Sequence, residues 1–216
     1  MKDRRAYLLL VITACLGWLL VATVDCERKK EQQENLTDLF REGDTAFLQG
    51  RIADAEKAFR AAVELAEKKA AVSSSSNEAQ RDLSISLNKL GDIAQAKGNL
   101  PEAEKLFRRD LTIAESLAKA DPTNAQAQRD LSVSLERLGD IAQAQGNLPE
   151  AEKLFRRTLA IRETAAKVDP TNAQARRDLS VSLKKLGDIA LAQGNLPEAE
   201  KLFRQDLAIA ESLAKA

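Results

Sequence analysis

An eleven-residue string, GNLPEAEKLFR, recurs unchanged at Gly98–Arg108, Gly146–Arg156 and Gly194–Arg204, and a diverged copy, GRIADAEKAFR, starts at Gly50. Successive starts lie 48 residues apart, and the register holds through whole blocks. Residues 81–128 open with RDLSISLNKLGDIAQAK, 129–176 with RDLSVSLERLGDIAQAQ, and 177–216 with RDLSVSLKKLGDIALAQ. A first, worn block covers about 33–80, with SSSSNEAQ where DPTNAQAQ stands one block later. A fixed period in this range is the mark of a solenoid, in which each unit buries its apolar face only by stacking on its neighbours.

The same repetition tells which elements are stacked. Just ahead of the block 129–176, DPTN (Asp121 to Asn124) supplies a proline break and capping side chains before a helix expected to start near Ala125. Leu131, Leu135, Leu138 and Ile141 or Ala142 then follow at three-four spacing, which predicts one amphipathic helix to about Gln145. Gly146-Asn147 ends it, and Pro149 is expected at the first position of a second helix, with Glu150 and Glu152 at its positive end. That second helix turns Ala151, Leu154, Phe155, Leu159 and Ile161 inward and runs to about Lys167. Glu152 and Arg156, four apart, suit a surface ion pair, and the Arg-Arg doublets at 108–109 and 156–157 read as a solvated convex face.

Composition narrows the chemistry. Charged residues make up 31% and aromatics 4%, which favours long helices over strands. Lys plus Arg and Asp plus Glu both number 33, so no net field draws in nucleic acid. With no histidine in the chain, histidine metal sites, Ser/His/Asp triads and the commonest general base are all missing. No glycine-rich phosphate loop is present either. The reading is a non-enzyme without cofactor or metal.

The amino-terminal residues differ from everything that follows. Ala6 to Val24 carry no charge, and at ~1.5 Å per residue they span about 28 Å, close to the apolar core of a bilayer. Three readings compete: a cleaved signal peptide ending near Ala22, a lipoprotein signal with ITAC before Cys15, and an uncleaved anchor. The anchor fits best. No small-x-small site closes the run, and a chain starting at Cys15 would still be apolar where a tether is expected. Residues 1–26 are therefore expected to be a transmembrane helix and 27–34 a charged helical linker, with Cys26 at the interface. The short leader with Lys2, Arg4 and Arg5 places the repeats outside, on the periplasmic or extracytoplasmic side.

Leu138-Gly139, Ala151 and Phe155 recur as Leu90-Gly91, Ala103, Phe107 and as Leu186-Gly187, Ala199, Phe203. In the first block Gly43, Ala55 and Phe59 match. This set resembles the tetratricopeptide repeat, and the continuation LFRRTLAIRETAAK is similar to the long-helix variety of kinesin light chains. The resemblance implies an all-α, right-handed solenoid of four helix-turn-helix units over 35–216, whose concave face binds a peptide or partner protein. Two departures stand out. The period of 48 exceeds the family's 34, so both helices should be longer, and Asp110, Thr158 and Asp206 replace the small residue usual in the middle of the second helix.

In such folds the first helix of each unit lines the groove. The face opposite the leucine stripe carries Arg129, Val133, Glu136, Asp140 and Gln143 in one unit. It carries Arg81, Ile85, Asn88, Asp92 and Gln95 in the unit before, and Arg177, Val181, Lys184, Asp188 and Leu191 in the unit after. Thr37, Phe40, Asp44 and Phe47 hold these places in the first block. Asp44, Asp92, Asp140 and Asp188 are thus expected to form a ladder along the groove beside a row of arginines. Asn88, Glu136 and Lys184 vary within near-identical units, as reading of a partner's sequence would require. At the far end, Leu183, Leu186 and Leu207 are expected to lie open unless a partner or a second copy covers them. The chain reads as a membrane-anchored interaction module: a scaffold, assembly factor or accessory subunit. A secreted or lipid-anchored adaptor is the alternative, and a regulatory arm of an enzyme the reading from a different class.

Overall fold

The structure, a computed structural model, describes residues 35–73 and 76–214. The expected anchor (6–24), Cys15, Cys26 and the linker 27–34 lie outside the described residues. All regular structure among the described residues is helical, and no helix there is long and apolar enough to cross a membrane. Among the described residues eight helices follow one another: α1 over 35–48, α2 (Ile52–Val72), α3 (Asn77–Ala96), α4 (Leu100–Ala120), α5 (Ala125–Ala144), α6 (Leu148–Val168), α7 (Ala173–Ala192) and α8 (Leu196–Ala214).

The chain divides into two compact units, one up to Leu65 and one from Ala66 onward. In the first, α1 meets the start of α2 through a turn at Gly50, whose φ of 72° only glycine adopts without strain. The Gly50 and Arg51 amides close the end of α1 by donating to the carbonyls of Phe47 (2.9 Å) and Ala46 (2.8 Å). Leu36, Ala46, Ala55, Phe59 and Ala62 form its buried core.

The second unit is a stack of helical hairpins in sequence order. α3 packs on α4, α5 on α6 and α7 on α8, while α4 against α5 and α6 against α7 join one hairpin to the next. The turn inside each hairpin repeats the Gly50 geometry: Gly98, Gly146 and Gly194 have φ of 74°, 76° and 77°. After each glycine an asparagine caps the next helix, with Asn147 Oδ1 accepting from the Glu150 amide at 3.3 Å. This cap starts α6 at Leu148, one residue before the sequence-based expectation, and puts Pro149 at the second helical position, where its missing N–H costs nothing. Between hairpins, Asn124 and Asn172 cap α5 and α7, the DPTN element doing what its sequence predicts.

The second glycine of each unit serves packing. A Cβ added to Gly139 would stand 2.4 Å from Cε1 of Phe155, and Gly43, Gly91 and Gly187 face Phe59, Phe107 and Phe203 in the same way. On α6 it is the ring one turn beyond Ala151 that makes the contact. Phe107 and Phe155 are completely buried. Leu183 and Leu186, expected at the open end, are buried inside the α7–α8 hairpin, because the leucine stripe faces the hairpin partner. Val181, Leu191, Leu196 and Leu207 are the large apolar residues exposed on these two helices.

Candidate protein-binding groove

The first helix of each hairpin carries the predicted groove residues, and the structure gives several of them a neighbour. Asp92 on α3 lies 3.0 Å from Arg137 on α5, and Asp140 on α5 pairs with Lys185 on α7, both across 45 residues. Arg81 reaches Asp130 at 2.6 Å and Arg129 reaches Asp178 at 3.0 Å, both across 49 residues. Asp92 and Asp140 of the ladder, with Arg81 and Arg129 of the arginine row, are therefore clasps between successive hairpins, whereas Asp44, Asp188 and Arg177 are exposed. The sequence-based expectation named only one half of each clasp. Arg137 and Lys185 recur at fixed spacing beside the variable position, as do Asp130 and Asp178 in the RD pairs, and that constancy was the available signal.

Burial shifts these groups. Desolvation pushes the Asp92 carboxyl above its ordinary value against the pull of Arg137 and Lys89. It does the same to Asp140 against the hydrogen bond and charge of Lys185. Lys185 is further held by Glu136 at 3.5 Å and by the face of the Phe155 ring, 5.5 Å from its centroid.

Two of the three variable positions also have local partners. Asn88 donates to Asp110 on α4 at 2.9 Å, and Glu136 forms an ion pair with Arg162 on α6 at 2.5 Å. The change to Glu136 thus has an internal match, since Thr158 and Arg162 also change on the second helix of its hairpin, whereas Asn88 and Lys184 stand with the same second-helix residues, Asp110 with Ala114 and Asp206 with Ala210. Lys184 is exposed. Asp110 and Thr158, which replace the family's small residue, are fully buried, the first accepting from Ser84 and Asn88 and the second donating to the Leu154 carbonyl at 3.1 Å. Buried polar atoms need such partners.

Of the other predicted residues, Gln95 is half-buried, and Gln143, Arg177, Asp188 and Leu191 are exposed, Leu191 to 52%. In the first unit Phe40 is half-buried and Asp44 and Phe47 are exposed along α1. The structure brings Asn88 and Asp92 together at a cavity of about 250 Å3 between α3, α4 and α5. Ser84, Ile85 and Lys89 complete its α3 wall, Asp110 supplies α4, and Asp130, Val133, Ser134 and Arg137 come from α5. Asp110 and Arg162 are the residues that sequence reasoning missed as polar centres.

The second helices carry two more rows. Arg109 bonds Glu67 and Arg157 bonds Glu115, each at 2.7 Å across 42 residues. Gln145 and Gln193 donate to Glu104 and Glu152 at 2.9 Å across 41 residues. Those bonds, with the local ones from Arg108 and Arg156, hold both glutamates below their ordinary value. The arginine doublets thus divide their work. Arg108 and Arg156 pair on their own helix, as expected, while Arg109 and Arg157 clasp the neighbouring hairpin, though each remains about half exposed. Among the described residues no group of three acidic or cysteine side chains could hold a metal ion.

Helical hairpins stacked in register, each offering one helix to a polar groove, define a helical-repeat solenoid. Three tetratricopeptide-repeat profiles match the chain, at residues 39–69, 84–123 and 130–212, and the chain is a tetratricopeptide-repeat protein. No curated protein matches the sequence. Among solved structures, that of BtubC (BKLC) from P. vanneervenii is similar at 18% identity and a TM-score of 0.63, covering 81% of this chain. The match takes in 62% of the BtubC chain, so this chain spans less than two thirds of that structure. A putative kinesin light chain of P. anserina with nearly identical TPR-like repeats matches at 17% identity and a TM-score of 0.46, over 84% of this chain and 97% of that one. MamA matches at 17% identity and 0.43, over 81% and 97%. At these identities the likeness is one of fold.

Proposed function

We propose that this protein is a membrane-anchored interaction module that holds a partner protein along the helices α3, α5 and α7, as a scaffold, assembly factor or accessory subunit of a membrane complex. The observation that carries the reading is the cavity between α3, α4 and α5: a polar recess with two apolar side chains, Ile85 and Val133, on the helices that bear the groove residues. Sites that bind by a few convergent polar groups at an apolar wall have this make-up. Exposed Lys184, Asp188 and Leu191 extend the surface along α7; in the first unit, α1 by itself carries Phe40, Asp44 and Phe47. Anchoring rests on the uncharged run 6–24, and the short leader with Lys2, Arg4 and Arg5 supports an extracytoplasmic position for the repeats.

The test begins with native membranes. The full-length chain is extracted in mild detergent, purified, and its bound proteins identified by mass spectrometry. A stoichiometric membrane complex, lost when Lys184, Asp188 and Leu191 are changed together to alanine, is the expected result. Recovery of the chain alone from the membrane fraction would overturn the subunit reading. Recovery from the soluble fraction would overturn the anchor.

A further inference from the structure

Two neighbouring hairpins, almost identical in sequence, treat one buried site in opposite ways. On α6, Arg162 is buried, and its guanidinium donates to Ser132 Oγ (3.3 Å), Ser182 Oγ (3.0 Å) and the Asp178 carbonyl (3.1 Å). Its ion pair with Glu136 completes the shell. One period earlier, Arg162 is replaced by Ala114, and its four partners correspond to Ser84, Ser134, Asp130 and Asn88. Those same four residues line the cavity between α3, α4 and α5. The cavity therefore occupies the place that a guanidinium fills one hairpin further on.

The buried carboxylate has also changed helix. The third repeat has Glu136 on its first helix and Thr158 on its second; the second repeat has Asn88 and Asp110. Glu136 meets Arg162, whereas the partners of Asp110 are the neutral groups of Ser84, Asn88 and Ser134. Among the described residues Asp110 forms no ion pair, although it is 1% exposed. A carboxylate buried beside a cavity without a counter-charge is unfavourable on its own.

We propose that this cavity is a guanidinium pocket that takes an arginine side chain of the bound protein, with Asp110 as its counter-charge and Ser84, Ser134 and Asn88 around it. The inference rests on the protein-binding reading of the groove and names the chemistry of one subsite within it. A planar fork of five N–H donors suits acceptors spread over three helices better than a compact ammonium does. At about 250 Å3 the space lies below the ~300 Å3 at which pockets begin to hold drug-sized ligands, which fits a side chain rather than a cofactor.

The test uses the full-length chain in detergent and N-acetyl-arginine N-methylamide, followed by ligand-observed NMR. The lysine and citrulline counterparts serve as controls. The arginine compound should bind at least about tenfold more tightly than either, and Asp110→Asn should remove that preference. Ala114→Arg gives the second repeat its own guanidinium; it should abolish binding while the protein melts no lower than the unaltered chain. Equal binding of all three compounds, no saturable binding, or an Ala114→Arg variant that melts normally and still binds would overturn the proposal. Agmatine binding at least about tenfold more tightly than the capped arginine would overturn the side-chain source and assign the pocket to a small free guanidine. If the arginine compound fails while the membrane partner is still retained, this inference falls and the interaction reading stands.

Discussion

The Arg162 guanidinium on α6 lies 2.5 Å from the Glu136 carboxylate on α5, with both side chains largely shielded from solvent. The two neighbouring hairpins place alanine where Arg162 stands, and asparagine or lysine where Glu136 stands. Glu136 accompanies Thr158 and Arg162, whereas Asn88 and Lys184 both accompany an aspartate and an alanine, Asp110 with Ala114 and Asp206 with Ala210. The position of Glu136, which looks free along α5, is therefore constrained across its hairpin.

Arg162→Ala should destabilise the protein by about 3 kcal/mol, because it leaves Glu136 buried with its charge only partly met by Lys185. Changing Glu136 and Arg162 together to methionine should restore most of the loss. Chemical denaturation of the three chains decides it. A single variant as stable as the parent would show that the pair is not buried in solution.

Gly139→Ala should cost about 2 kcal/mol, since the added carbon would stand 2.4 Å from a Phe155 ring with no free space around it. Adding Phe155→Leu should recover part of the loss. Amide exchange should rise in α5 and α6 first, as nearest-neighbour stability requires. Exchange rising uniformly along the chain would contradict that locality.

Acidification separates the buried aspartates. Burial raises the carboxyls of Asp92, Asp110 and Asp140 in the folded chain, so the folded state binds their protons more tightly than the unfolded one. Their contribution to stability improves as pH falls from neutral through the raised values toward 3.8, and is lost again as pH rises. Glu104 and Glu152 are shifted down and act in the opposite direction, below their ordinary 4.5. Relative to Asp110→Asn, the unaltered protein should melt higher near pH 5 than near pH 7. A constant difference between the two melting temperatures would refute the assignment to Asp110.

The outer rows should matter little one at a time. Glu115→Ala breaks a pair whose partners are 47% and 45% exposed, and should cost no more than about 0.5 kcal/mol, less in high salt. A loss above about 2 kcal/mol would mean that the row is shielded by something the isolated chain lacks.

The sequence disclosed the hairpins because their signals are local and repeated. Glycine at the turn, asparagine as cap and leucine at three-four spacing each act within one helix or one bend. The clasps were not visible, because nothing within one helix says that Asp92 meets a cation 45 residues away. Repetition did hold a clue: a charge kept at the same place in every block, such as Arg137 and Lys185, is retained against a partner kept just as faithfully. Asp110 was singled out as a departure from the family's small residue, but its seryl and asparagine partners lie on another helix and left no mark beside it. Arg162 passed unnoticed because one arginine among alanines resembles surface drift.

Every clasp row joins one hairpin to the next, at separations of 41, 42, 45 and 49 residues, with the donor on the later hairpin in the first three and on the earlier hairpin in the last. Each 48-residue block carries both halves of the fastening, one for each neighbour. Copying or deleting a whole block leaves these pairs intact, whereas slipping the stack by a single helical turn breaks all of them. Such a chain can change its length by gene duplication without first inventing a new interface. The interior of a hairpin, where Arg162 and Asp110 sit, is the part left free to make one copy differ from the next.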